Sequence, residues 1–153
     1  MRKFLLLIHF ILSGQKEVCF DIESNPYPNH PALNGFTKYV HVLDCIHIYA
    51  QSTISDEKVL HAAAVAAELL DNDEDGIVDD PLVEAALRDS EALMPIFTNE
   101  WSPIMDDVED YYDGCLGAAL FRNEIDPSQP GHWGDDASVA VSYTHLRAHA
   151  TLR

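Results

Sequence analysis

Four aspartates and one glycine in the middle of the chain have the spacing of a cation-binding loop. Asp71, Asp73 and Asp75 stand at alternate positions, Gly76 follows directly, and Asp79 comes three residues later. Carboxylates are hard oxygen ligands, and Ca²⁺ takes roughly six to eight oxygens at about 2.3–2.6 Å. Alternate side chains of a tight loop converge on one point, and a glycine permits the sharp turn that such a loop needs. The spacing therefore predicts a calcium site within the loop 71–82.

The segment 71–79 resembles the calcium loop of the EF-hand family, and also the related loops of dockerin and thrombospondin type-3 repeats. The resemblance implies four side-chain ligands and one backbone carbonyl ligand, which are Asp71, Asp73, Asp75, Asp79 and the carbonyl of Ile77. The last aspartate would bind either directly or through water. Val78 stands where such loops point an apolar residue into the core. EF-hands usually occur in pairs, and the sequence contains one loop of this kind.

One position departs from the EF-hand pattern. The twelfth residue of the loop, where the family places a bidentate Glu, is Leu82. Either a neighbouring acid completes the ligand set, or a more distant acid does, or the affinity for calcium is weak. Glu84 is the first candidate for the missing ligand. The second is a group of acids further along the chain, at Asp106, Asp107, Glu109 and Asp110.

Two predicted helices hold this loop. Ser55 is expected to cap the first helix, whose alanine-rich sequence continues to Leu70. Asp80 is expected to cap the second, which has Pro at its favoured first position and runs over about 81–96. A third, short helix is predicted over about 103–112.

Strand patterns lie mainly before the first helix. Residues 17–23 alternate between polar and apolar, and Val, Ile and Tyr are frequent over 39–50. A slip near Asp44 and Cys45 indicates either one strand with a bulge or two strands with a turn. Residues 117–125 favour a further strand. The predicted fold class is therefore α+β and mainly helical, with short N-terminal strands followed by an EF-hand-like helix–loop–helix.

The composition restricts the partners. The 153 residues include 9 Lys and Arg against 26 Asp and Glu, which gives a net charge of -17, and 47% are hydrophobic. This length indicates one domain, and the hydrophobic content is enough for a packed core. Of the 26 acids, 15 lie within 71–113, where Arg88 is the only basic residue apart from histidine. Such a surface repels phosphate, so we expect a calcium ion as partner and neither nucleic acid nor anionic membrane.

The two ends of the sequence have patterns of their own. A basic start, an apolar segment and two small residues over 1–14 indicate a secretory signal peptide, so we expect a secreted protein, periplasmic or extracellular. Residues 141–149 resemble the in-frame translation of a transposase sequencing adaptor at every position. We therefore interpret 140–153 as a non-native tail and 15–139 as a single acidic domain that is C-terminally truncated.

A second resemblance supports an alternative function. The run from Lys58 to Gly76 is similar to an uncharacterised family of exported proteins from marine microbes, with a likeness over about 39–139. The resemblance implies that a helix with a Glu-Glu-x-x-His motif would follow Val139, as zinc-dependent hydrolysis needs. The alternative is thus the N-terminal fragment of a secreted metallohydrolase whose catalytic helix is missing. The residues present contain no catalytic constellation, so enzymatic activity stays open.

The cysteines and histidines leave simpler alternatives open. In an exported protein a disulfide between Cys45 and Cys115 is one interpretation, with Cys19 left over, and three unpaired buried thiols are the other. The histidines lack the helical spacing of a zinc site, so we expect structural or surface roles for His41, His47, His61 and His132.

Overall fold

A mixed five-stranded sheet and three helices form the described part of the chain. The computed structural model describes residues 20–73, 75–112, 115 and 117–128. The strands lie in chain order across the sheet. Along the chain the elements are β1 (Glu23–Ser24), β2 (Lys38–Val42), β3 (Ile46–Ala50), α1 (Asp56–Leu70), α2 (Pro81–Asp89), β4 (Leu93–Phe97), α3 (Met105–Tyr112) and β5 (Leu120–Phe121).

The sheet changes from antiparallel to parallel at β3. β1, β2 and β3 pair antiparallel, whereas β3, β4 and β5 pair parallel. The hairpin between β2 and β3 turns at Leu43 and Asp44, which both have positive φ angles, of 47° and 55°. Parallel neighbours need a crossover connection. The first crossover contains α1, the loop 71–80 and α2, and the second contains α3.

Side chains of alternate strand residues fill two separate cores, one on each face of the sheet. Ile48 and Ile96 belong to the first core, which α1 and α2 cover with residues such as Leu87. Tyr49 and Phe97 belong to the second core. Its other buried members are Leu93 of β4, Leu33 and Phe36 from the segment before β2, Ile104 directly before α3, and Val108 within α3. The described residues thus form three layers, with the sheet in the middle.

The prediction of a mainly helical fold is wrong, and the region after α2 explains why. The second helix ends at Asp89 instead of continuing to residue 96. Glu91 then adopts a φ angle of 49°, which no helical residue has, and the chain enters β4. All five residues of β4 are buried because both faces of the sheet are covered. A strand buried on both faces is a continuous apolar run, and a helical period can be read into it.

Other elements agree with the sequence to different degrees. The prediction of α1 is confirmed, with the Ser55 hydroxyl accepting from the Lys58 N–H at its start. Of the two alternatives for the segment 39–50, the structure has two strands, β2 and β3, with a turn at Leu43 and Asp44. The predicted strand at 17–23 is wrong over 20–22, since β1 begins at Glu23. Residues 1–14, 140–153 and His132 lie outside the described residues.

The two described cysteines are free thiols, so the predicted disulfide between them is wrong. Cys45 is buried in the core beneath α1 and α2, while Cys115 packs against the core on the other face. The sheet therefore separates the two sulfur atoms. Cys19 lies outside the described residues.

Candidate metal centre

The candidate loop begins with a buried carboxylate at the end of α1. Asp71 ends the helix, and its N–H donates to the Ala67 carbonyl across 2.8 Å. The Asp71 side chain is only 3% exposed, although an ionised carboxylate is costly to bury without partners. Its two oxygens accept from the backbone N–H groups of Asp75 at 3.2 Å and Gly76 at 2.7 Å. The first aspartate of the loop is thus held in place by the turn that follows it.

Gly76 makes this turn, and the ends of the loop are joined behind it. The φ angle of Gly76 is 86°, in the region that side chains other than glycine rarely adopt. Val78 is buried in the core under α1 and α2. The Asp79 N–H then donates to the Leu70 carbonyl across 2.8 Å. The loop therefore leaves α1 and returns to it within nine residues.

Three of the predicted ligands converge. One carboxylate oxygen each from Asp71, Asp73 and Asp79 lies within 4.8 Å of the other two. Two oxygens on opposite sides of one Ca²⁺ would be about 4.6–5.2 Å apart, which is twice the usual bond length. Asp71 forms the buried base of this group, and the other two side chains are exposed. The arrangement can hold a divalent cation with hard oxygen ligands.

Asn72 positions the last of these carboxylates, a role that sequence analysis missed. Its backbone N–H and its side-chain amide both donate to Oδ2 of Asp79, across 3.0 and 2.6 Å. These two hydrogen bonds lower the pKa of Asp79. The carboxylate thus stays ionised and keeps a fixed orientation toward Asp71. An amide residue directly after the first aspartate is the sequence signal that could have indicated this contact.

Asp75 and Ile77 lie beside the converging group. Oδ1 of Asp75 accepts from the Ile77 N–H across 2.9 Å, so this carboxylate caps the turn. The nearby charge of Asp75 raises the pKa of Asp73, as two close carboxylates repel each other. The Ile77 side chain is 65% exposed. A cation would relieve the repulsion within this loop.

Neither candidate for the missing twelfth ligand belongs to the group of three converging carboxylates. Glu84 pairs with Arg88 one turn further along α2, at 2.9 Å. Asp80 caps α2 by accepting from the Leu82 and Val83 N–H groups. The acids of α3 lie on the element that packs against the opposite face of the sheet. Leu82 itself is 74% exposed.

Comparison with family models, with curated proteins and with solved structures gives no match. The site is therefore interpreted from its own geometry. Among the described residues, no helix has the length and apolar character needed to cross a membrane.

Proposed function

We propose that this chain is an exported calcium-binding domain in which Ca²⁺ stabilises the connection between α1 and α2. The observation that carries the proposal is the convergence of Asp71, Asp73 and Asp79 within 4.8 Å around a buried carboxylate. The EF-hand-like spacing and the turn at Gly76 support it independently. In this proposal the three carboxylates bind the ion, and the Ile77 carbonyl, Asp75 and water complete its oxygen shell.

The ion would have a structural effect because the loop contacts α1 at both of its ends. Asp71 ends the helix, and Asp79 donates back to Leu70. Three like charges held this close repel one another, and a divalent cation replaces repulsion with attraction. Binding to the folded state alone raises the free energy of unfolding by mass action. Calcium would therefore stabilise the junction that leads into α2.

Glu84 is the acid of α2 that could add a further ligand. It would have to exchange its ion pair with Arg88 for the metal. A partly exposed ion pair one helical turn apart is worth only about 0.3–0.5 kcal/mol, so the exchange is energetically small. Without that exchange the site has few carboxylates and no bidentate Glu. We then expect a dissociation constant of about 10⁻⁴–10⁻³ M, the range of extracellular calcium modules.

Isothermal titration calorimetry tests this proposal. We expect one site for Ca²⁺, weaker binding of Mg²⁺, and at least a tenfold loss of affinity in the Asp79→Asn variant. Asp107→Asn is the matched control, because it removes the same charge from an exposed position of α3. Equal affinities in both variants, or heat that does not saturate, would contradict a site in the loop.

The alternative of a metallohydrolase fragment concerns residues beyond Val139 and stays a prediction. Genomic DNA read past codon 139 would test it. An encoded helix with a Glu and a His on one face would support the alternative, and its absence would remove it.

A further inference from the structure

A second site lies on the other face of the sheet, independent of the calcium loop. Here a cavity of about 350 Å³ opens between the sheet, the segment before β2 and α3. Such a volume is at the lower end of small-molecule sites. The lining residues are Tyr27, His30, Leu33, His47, Tyr49, Glu91, Leu93 and Tyr111. None of them belongs to the loop 71–82.

Three tyrosine rings face this cavity at different depths. Tyr49 is 2% exposed and forms part of the base, whereas Tyr27 is 59% exposed at the mouth. Tyr111 comes from α3, and its ring meets the His30 ring edge-on with centroids 4.8 Å apart. Burial, together with neighbouring hydroxyls and Glu91, raises the pKa of Tyr49. Burial also raises the pKa of Tyr111, so the hydroxyls of Tyr49 and Tyr111 stay neutral. Tyrosine rings have electron-rich faces that attract cations.

Glu91 supplies the negative charge, from the turn between α2 and β4. Its φ angle of 49° belongs to the residue that follows the C-cap of α2, where the N–H groups of Glu91 and Ala92 donate to the carbonyls of Arg88 and Leu87. Its side chain lines the same cavity as Tyr49, Tyr111 and His47. Its charge adds to the effect of burial in raising the pKa of Tyr49 and Tyr111. Among the described lining residues there is no Lys or Arg to neutralise it.

His47 is a neutral part of the wall. Its Nδ1 lies 2.8 Å from the Tyr39 hydroxyl. Burial, and then the stacked His41 ring, lower the pKa of His47, so the imidazole is uncharged at neutral pH. His30 accepts the Ala32 N–H at its Nδ1. The cavity thus combines one carboxylate with aromatic rings.

We propose that this cavity binds a small organic cation, with its ammonium group against Glu91 and its substituents against the rings of Tyr27, Tyr49 and Tyr111. A hydrated metal ion would not use the rings, and an anion would be repelled by Glu91. A methylated or primary ammonium group uses both features, because it combines a positive charge with an apolar surface. Leu33 and Leu93 offer apolar contact to the rest of the ligand.

Choline is the probe for this site, and its neutral analogue 3,3-dimethylbutan-1-ol is the matched control ligand. In NMR titrations at constant ionic strength we expect choline to shift the Tyr49 and Tyr111 ring signals and to bind at least tenfold more tightly than the analogue. Equal binding of the two ligands would overturn the proposal. Preferential binding of acetate would overturn it as well.

Two variants separate the charge from the rings. Glu91→Gln keeps the side-chain shape, and we expect it to weaken choline binding about tenfold or more. Glu57→Gln, at an exposed position in the first turn of α1, should leave binding unchanged. Tyr27→Ala removes an exposed ring, so the fold tolerates it, and a loss of about two- to thirtyfold corresponds to one cation–π contact. Unchanged choline affinity in both Glu91→Gln and Tyr27→Ala would overturn the proposal.

Discussion

The backbone N–H of Gly76 donates to Oδ2 of the buried Asp71 across 2.7 Å. This hydrogen bond joins the first and sixth positions of the acidic loop and closes its turn. The carboxylate therefore has two tasks, since it also lies within 4.8 Å of the oxygens of Asp73 and Asp79. The two tasks can be separated by experiment.

The structural task predicts that Asp71→Ala lowers stability even without calcium. We expect a decrease of about 1–3 kcal/mol in the free energy of unfolding, because the partly buried Gly76 N–H loses its acceptor. Urea denaturation in the presence of a chelator measures this change. Asp73→Ala is the control, since removing that exposed carboxylate relieves its repulsion with Asp75 and should not lower stability when the ion is absent. Equal loss of stability in the two variants would contradict the role of Asp71 in closing the turn.

The absence of a Glu at the twelfth loop position predicts that one substitution can increase the affinity for calcium. Leu82 stands there, 74% exposed, so Leu82→Glu introduces a carboxylate without opening the core. A bidentate Glu is the strongest ligand of EF-hand loops, and we expect calcium affinity to rise at least tenfold. Calorimetry compares this variant with Leu82→Gln, which has the same shape and no charge. If both variants bind calcium like the unsubstituted chain, α2 does not begin where an EF-hand helix would.

The attachment of α2 predicts a strong contrast between two leucines on the same helix. Leu87 is 0% exposed and packs in the core with Val83, whereas Leu82 points to solvent. Leu87→Ala should lower the free energy of unfolding by about 2–5 kcal/mol, because it leaves a cavity under α2. Leu82→Ala should change it by less than about 0.5 kcal/mol. Thermal or urea denaturation measures both, and similar values would show that α2 is not held by Leu87.

The burial of His47 beside His41 predicts that the stability of the fold depends on pH. Burial and the stacked His41 ring lower the pKa of His47 from its ordinary 6.5, while Glu91 opposes them. Because His47 then binds a proton more tightly in the unfolded chain than in the folded one, the neutral imidazole contributes to the stability of the fold. This contribution is complete above about pH 6.5 and is lost as the pH falls through the pKa of His47 in the folded state.

An NMR titration should therefore place the midpoint of His47 below 6.5. His41→Ala should raise this midpoint, and Glu91→Gln should lower it. A midpoint at or above 6.5 in the unsubstituted chain would contradict the burial of this ring.

The loop was predictable because its geometry is local. The hydrogen bonds that shape it join residues within nine positions of each other, such as Asp71 with Gly76 and Asn72 with Asp79. The spacing of the aspartates and the glycine therefore determines most of the geometry of the loop. The Asn72 contact was missed because EF-hand spacing alone assigns no task to the second position.

The sheet was harder to predict because the contacts that stabilise it join residues distant in sequence. β4 is buried by α1 and α2 on one face and by α3 on the other, and none of these contacts is visible in the sequence of residues 93–97. Pro95 adds to the difficulty, since proline has no N–H to donate and is rare in inner strands. The cavity could not be predicted for the same reason, because its walls come from residues as distant in sequence as Tyr27 and Tyr111.

The most direct test of calcium binding is a Ca²⁺ titration of the isotope-labelled chain, followed through its backbone amide NMR signals. Calcium held by the loop predicts saturable shifts that are largest over residues 71–82, reverse on addition of chelator and disappear in Asp79→Asn. Shifts confined to the acids of α3, or no saturable shifts at calcium concentrations well above the expected dissociation constant, would contradict a calcium site between α1 and α2.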